Sequence, residues 1–114
     1  SALRGLPLVV GGRSAGARVA CRTAGETGAV GVLCLAFPLQ PPRRKSGAES
    51  PSRLPELDAV TVPTLVVQGE RDRFGMPPGS DLRTVAQVAG DHSLRSGRDA
   101  IAGAVRQWLR ELLA

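Results

Sequence analysis

Three side chains in this sequence could together form and break an acyl bond: Ser14, Asp72 and His92. A serine hydroxyl is a weak nucleophile until a neighbouring imidazole takes its proton. A carboxylate on the other imidazole nitrogen then fixes the tautomer that can accept it. His92 is the sole histidine, so the base has no rival. Ser14 lies in Gly12-Arg13-Ser14-Ala15-Gly16, which fits G-x-S-x-G, a sharp strand-to-helix turn that lifts a nucleophilic serine above a sheet. The two motif glycines are expected where a Cβ would collide with neighbouring backbone. For the acid, Asp72 follows the strand-ending Gly69, and Glu70, Asp81 and Asp91 are its rivals. Each residue also has a plain structural reading. Ser14 could cap a helix, Asp72 could shape a turn, and His92 could be an exposed residue of a Gly-Asp-His-Ser loop.

Such a constellation needs strands that end near one another and helices that cover them. Four strand-like runs alternate with helical ones, which predicts an α/β fold: a parallel sheet in a three-layer α/β/α arrangement. The strands are expected at about Leu6–Gly11, stopping at the glycine pair, then Ala29–Ala36, Thr64–Gln68 and Thr84–Val88. Helices are expected at about Ala15–Ala24, Arg53–Ala59 and Arg98–Leu113. The last carries Ile101, Val105, Trp108, Leu109 and Leu112 at helical spacing, so Trp108 reads as packing. The segment from Phe37 to about Ser52, rich in proline, serine and charge, reads as the most mobile loop.

Composition narrows the partners. An apolar fraction of 42% argues for a globular chain, and 114 residues allow at most one small domain. The net charge is +5, but the arginines are scattered, acids lie between them and aromatics make up only 3%. Nucleic acid is therefore not an expected partner, and Arg43-Arg44-Lys45 reads as a solvated loop. No apolar stretch is long enough to span a bilayer, so no membrane is expected and a cytoplasmic location is the default. One histidine and two separated cysteines offer no metal-ligand spacing, and no cofactor motif is matched. Cys21 and Cys34 read as small buried apolar residues in a helix interior and a buried strand. Gly11 and Gly12 opening a helix leave a phosphate-binding α/β domain as a weaker reading.

With these motifs in place, the chain resembles the C-terminal half of an α/β-hydrolase, with the order serine, acid, histidine. It is most similar to small cap-less members of the dienelactone-hydrolase type. Three segments carry a narrower likeness, to a branch related to a histone acetyltransferase complex subunit. They are Gly12 to Arg18, Phe37-Pro38-Leu39-Gln40-Pro41-Pro42, and Val67 to Gly75. The resemblance implies a serine hydrolase of the carboxylester type acting on a small-molecule ester or related acyl bond. Ser14 would be the nucleophile, His92 the base and Asp72 the orienting acid. The Ala15 N–H would be an oxyanion donor, while Arg13 reads as surface packing or, less simply, a clamp for a substrate carboxylate. It also implies that residues 1–114 form the C-terminal part of a single domain whose earlier strands, and a second oxyanion donor, are absent. A non-catalytic interaction module, or an inactive fragment, is the alternative, and an uncovered sheet edge could support self-association.

Overall fold

The computed structural model describes residues 5–114. Its elements run β1 (Val9–Arg13), α1 (Ala15–Thr27), β2 (Gly31–Leu35), α2 (Leu54–Asp58), β3 (Thr64–Gly69), β4 (Arg83–Val88) and α3 (Arg98–Leu113). The strands form one parallel sheet in the order β1-β2-β3-β4. Because all four strands are parallel, the carboxyl ends of β1, β3 and β4 lie along one rim. No helix among the described residues is long and apolar enough to cross a membrane.

Period-two alternation explains how an all-apolar strand serves two cores. Val32 and Cys34 of β2 and Val66 of β3 join Ala17, Ala20, Cys21 and Ala24 of α1 and Leu57 of α2 on one face. Leu65 and Val67 of β3, with Leu33 and Leu35 of β2, meet Trp108, Val105 and Leu112 of α3 on the other. The small residues of α1 let that helix lie close to the sheet, while α3 brings bulk. Together they make the three layers.

Several boundaries depart from the sequence expectation: α1 runs on to Thr27 and β2 begins only at Gly31, and two further departures have causes across the fold. The first strand does not stop at its glycines: Gly11 and Gly12 pair with Leu33 and Cys34, and the strand continues to Arg13. Leu6 and Leu8 precede it and are 66% and 44% exposed. β4 begins at Arg83, a residue that a propensity reading leaves outside. Its guanidinium is buried because Nε donates to the Pro78 carbonyl at 2.7 Å and Nη1 to Asp58 at 3.0 Å. The loop from Phe37 to Ser52 is stitched by its own bonds. Gln40 Nε2 donates to the Ser50 carbonyl, and the Arg53 N–H to the Leu39 carbonyl.

Gln68 is the polar keystone beneath the rim. Fully buried, it accepts the Phe37 N–H at 2.9 Å and donates to the carbonyls of Phe37 and Gly75, both at 2.8 Å. It thereby ties the end of β2 to the loop that follows β3. Gln68→Met keeps the volume but leaves an N–H and two carbonyls without that partner. A loss of about 3 kcal/mol is expected in urea unfolding, at roughly 1 kcal/mol or more per orphaned group. A loss below about 1 kcal/mol would mean that water replaces the amide.

Candidate active site

Ser14 sits between the last residue of β1 and the first of α1, with φ 51° and ψ −117°. Two bonds hold this turn. The Ser14 N–H donates to the Leu35 carbonyl of β2 at 2.9 Å, and the Ser14 carbonyl accepts the Ala17 N–H at 2.9 Å. The turn folds so tightly that a Cβ at Gly12 would lie 2.3 Å from the carbonyl carbon and oxygen of Gly16. At Gly16 the expectation was wrong: a Cβ there would meet nothing within 4 Å. The close approach belongs to one glycine of the pair, because the Gly16 side-chain position points away from the turn.

Asp72 and His92 arrive on the loops after β3 and β4. These loops touch backbone to backbone, since a Cβ at Gly69 would lie 2.5 Å from the carbonyl oxygens of Gly90 and Asp91. Cross-bonds hold them there: the Arg71 N–H donates to the Gly90 carbonyl, and the Glu70 N–H to the Val88 carbonyl. The separation of acid and imidazole is thus set by peptide atoms.

The structure brings Ser14, His92 and Asp72 into one hydrogen-bonded chain. Ser14 Oγ lies 2.8 Å from His92 Nε2, and His92 Nδ1 lies 2.7 Å from Asp72 Oδ2. The Asp72 carboxylate is fully buried and the imidazole is 22% exposed. An ionised carboxylate only accepts, so Nδ1 carries the proton and Nε2 is left to accept from the serine hydroxyl. The turn reading of Asp72 is also satisfied, because its Oδ1 accepts the Phe74 N–H at 2.8 Å. One carboxylate oxygen shapes the turn while the other holds the imidazole. Of the rival acids, Glu70 and Asp81 are exposed, and Asp91 is engaged by Ser93, whose hydroxyl and N–H both donate to its Oδ1. Those bonds hold the Asp91 carboxyl below the usual carboxylate range.

Ala15 opens α1, so its N–H is among the first-turn amides that no helical carbonyl can accept. It is adjacent to Ser14 at the positive end of the helix dipole. Arg13 is engaged elsewhere: its Nη2 donates to the Ser93 carbonyl at 2.7 Å, fastening the histidine loop to β1. Phe74 was not singled out from the sequence for any role. Its ring meets the imidazole edge-on with centroids 4.5 Å apart, and Arg73 lies over its outer face at 5.0 Å. The signal that could have found it is the spacing, since an aspartate in a turn bonds the N–H two residues on. A cleft of about 480 Å³ opens beside His92, lined by Arg71, Arg73, Asp91 and Ser93. A larger one, about 710 Å³, lies between α1 and α2, away from Ser14.

A parallel sheet covered on both faces, with a serine, a histidine and an acid at the carboxyl ends of its strands, is the architecture of an α/β hydrolase. The family described as an alpha/beta hydrolase domain matches residues 2–102, and the chain belongs to it. Among solved structures, the chain is similar to an alpha-beta serine hydrolase homologue from Coxiella burnetii, at TM-score 0.58 and 19% identity. That match covers 93% of this chain and 49% of the other, so the chain spans about half the length of that relative. It is also similar to a thioesterase domain from the curacin biosynthetic pathway, at TM-score 0.59 and 15% identity over 99% of this chain and 69% of that one. At these identities the likeness concerns the fold. No curated protein matches the chain.

Proposed function

We propose that the chain provides the nucleophile, base and acid of a serine hydrolase that cleaves a small-molecule ester or thioester. The observation that carries this reading is the continuous relay from Ser14 Oγ through His92 to Asp72, at 2.8 and 2.7 Å. In it, His92 Nε2 takes the hydroxyl proton as Ser14 Oγ attacks the substrate carbonyl. Asp72 stabilises the imidazolium that forms. The Ala15 N–H donates to the oxyanion of the tetrahedral intermediate. Collapse expels the alcohol or thiol with the proton from Nε2, and water repeats the sequence on the acyl-enzyme. Arg13 acts in this scheme by positioning the His92 loop.

The test is fluorophosphonate capture followed by tryptic mapping of the chain. Label on the Ser14–Arg18 peptide, lost in His92→Ala, is the expected result. A chain that is folded by circular dichroism yet unlabelled at Ser14 would overturn the reading. The exposed apolar side chains of Leu6, Leu8 and Val30 near the β1 edge favour one second reading, an interaction module that self-associates there. It predicts a sedimentation coefficient that rises with protein concentration and is unaffected by Ser14→Ala.

A further inference from the structure

The Ser14 relay leaves two nucleophilic side chains unused. Cys21, in the middle of α1, and Cys34, in β2, sit on the same face of the sheet, both buried and both free thiols. Their sulfurs are 3.6 Å apart. Filling space with small apolar residues does not require two sulfurs to converge. A disulfide needs them at about 2.05 Å, a closure of roughly 1.5 Å on elements that already pack against each other. The two thiols are not equally reachable. Cys21 lines the cleft of about 710 Å³ between α1 and α2, along with Ala24, Gly28, Val60 and Val62. Cys34 is fully buried behind it. The two thiols share one S–H···S contact in which either sulfur can donate; that contact holds the Cys21 thiol below its ordinary value, while the same contact and burial push Cys34 up. The reachable sulfur is the one an incoming oxidant meets, and the hidden one, 3.6 Å from it, is placed to resolve it.

We propose that Cys21 and Cys34 form an oxidation site for small hydroperoxides, which enter by the α1–α2 cleft and leave an intrachain disulfide between α1 and β2. In the first step the Cys21 thiolate attacks the terminal oxygen of the hydroperoxide. The O–O bond breaks, an alcohol (water, for hydrogen peroxide) leaves with a proton, and Cys21 becomes a sulfenic acid. In the second, the Cys34 sulfur attacks that sulfur. The S–O bond breaks, hydroxide leaves as water with the Cys34 proton, and the S–S bond forms. The two thiols lose two electrons and two protons, and the peroxide is reduced to alcohol and water. Nothing in this chemistry involves Ser14.

The experiment is hydrogen peroxide treatment of the folded chain, then alkylation and tryptic digestion without reductant. The expected product joins the Val19–Arg22 and Thr23–Arg43 peptides, is lighter by two hydrogen atoms, and reverts with dithiothreitol. It should form about tenfold faster than glutathione oxidises in the same solution. Cys34→Ala should stop at a sulfenic acid on Cys21 that dimedone traps. Because that variant could fail to fold, the wild-type map decides. The proposal is overturned if both cysteines remain free thiols, if disulfides join separate chains only, or if the intrachain bond forms no faster than glutathione oxidises.

Discussion

Asp72→Asn leaves the chain folded but slows fluorophosphonate capture at Ser14 by about 10⁴. The reason is specific to how this carboxylate is held. Its Oδ1 accepts the Phe74 N–H and its Oδ2 faces His92 Nδ1. An asparagine keeps the first bond only by placing its oxygen at Oδ1, which turns its NH₂ toward the imidazole. Nδ1 must then become the acceptor, and the proton moves to Nε2. That nitrogen now donates to Ser14 Oγ and cannot take its proton. Because the turn bond survives, thermal unfolding should change little, so slower capture cannot be assigned to misfolding. Capture rates and melting curves on the same samples check both halves. A loss below about tenfold would remove Asp72 from the orienting role.

Gly12→Ala and Gly16→Ala should move stability in opposite directions, although both glycines belong to the same five-residue motif. At position 12 the new methyl would lie 2.3 Å from the Gly16 carbonyl carbon and oxygen and 2.8 Å from the Ala17 nitrogen. All three are backbone atoms in the first turn of a helix, with no flexible end to swing aside. Relief requires moving α1 off β1, so the expected cost is about 4 kcal/mol or more, with loss of Ser14 capture. At position 16 the methyl meets nothing within 4 Å. There alanine replaces glycine in a helix, and a gain of up to about 1 kcal/mol is expected. Urea titrations of the two variants beside the parent decide the matter. Equal losses at both sites would mean that the turn requires two glycines after all.

What the sequence made legible follows from which interactions are local. The alternation of apolar runs and helical stripes located four strands, and the helical spacing of Ile101, Val105, Trp108, Leu109 and Leu112 located α3. The serine, acid and histidine that the structure links were distinguishable by the glycine-flanked motif around Ser14, the presence of a single histidine, and the place of Asp72 shortly after the strand-ending Gly69. Other features depend on what lies across the fold. Gly11 and Gly12 look like a stop in one dimension, yet they are ladder residues opposite Leu33 and Cys34. Arg83 looks like solvent-facing punctuation until Asp58 and Pro78 supply its partners. Gln68 reads as the polar end of a strand, and its three bonds to Phe37 and Gly75 have no signature in its neighbours. The approach of the Gly69 loop to Gly90 is of the same kind, a meeting of two segments that share no local pattern.

The backbone at Ser14, with φ 51° and ψ −117°, has one more consequence. This region is costly for any residue with a Cβ, by about 1–3 kcal/mol, and nearly free for glycine. Thermal robustness and chemical competence therefore favour different residues at this position. A variant library sorted only for survival of heating would enrich Ser14→Gly. The same library sorted for acyl capture would discard that variant first.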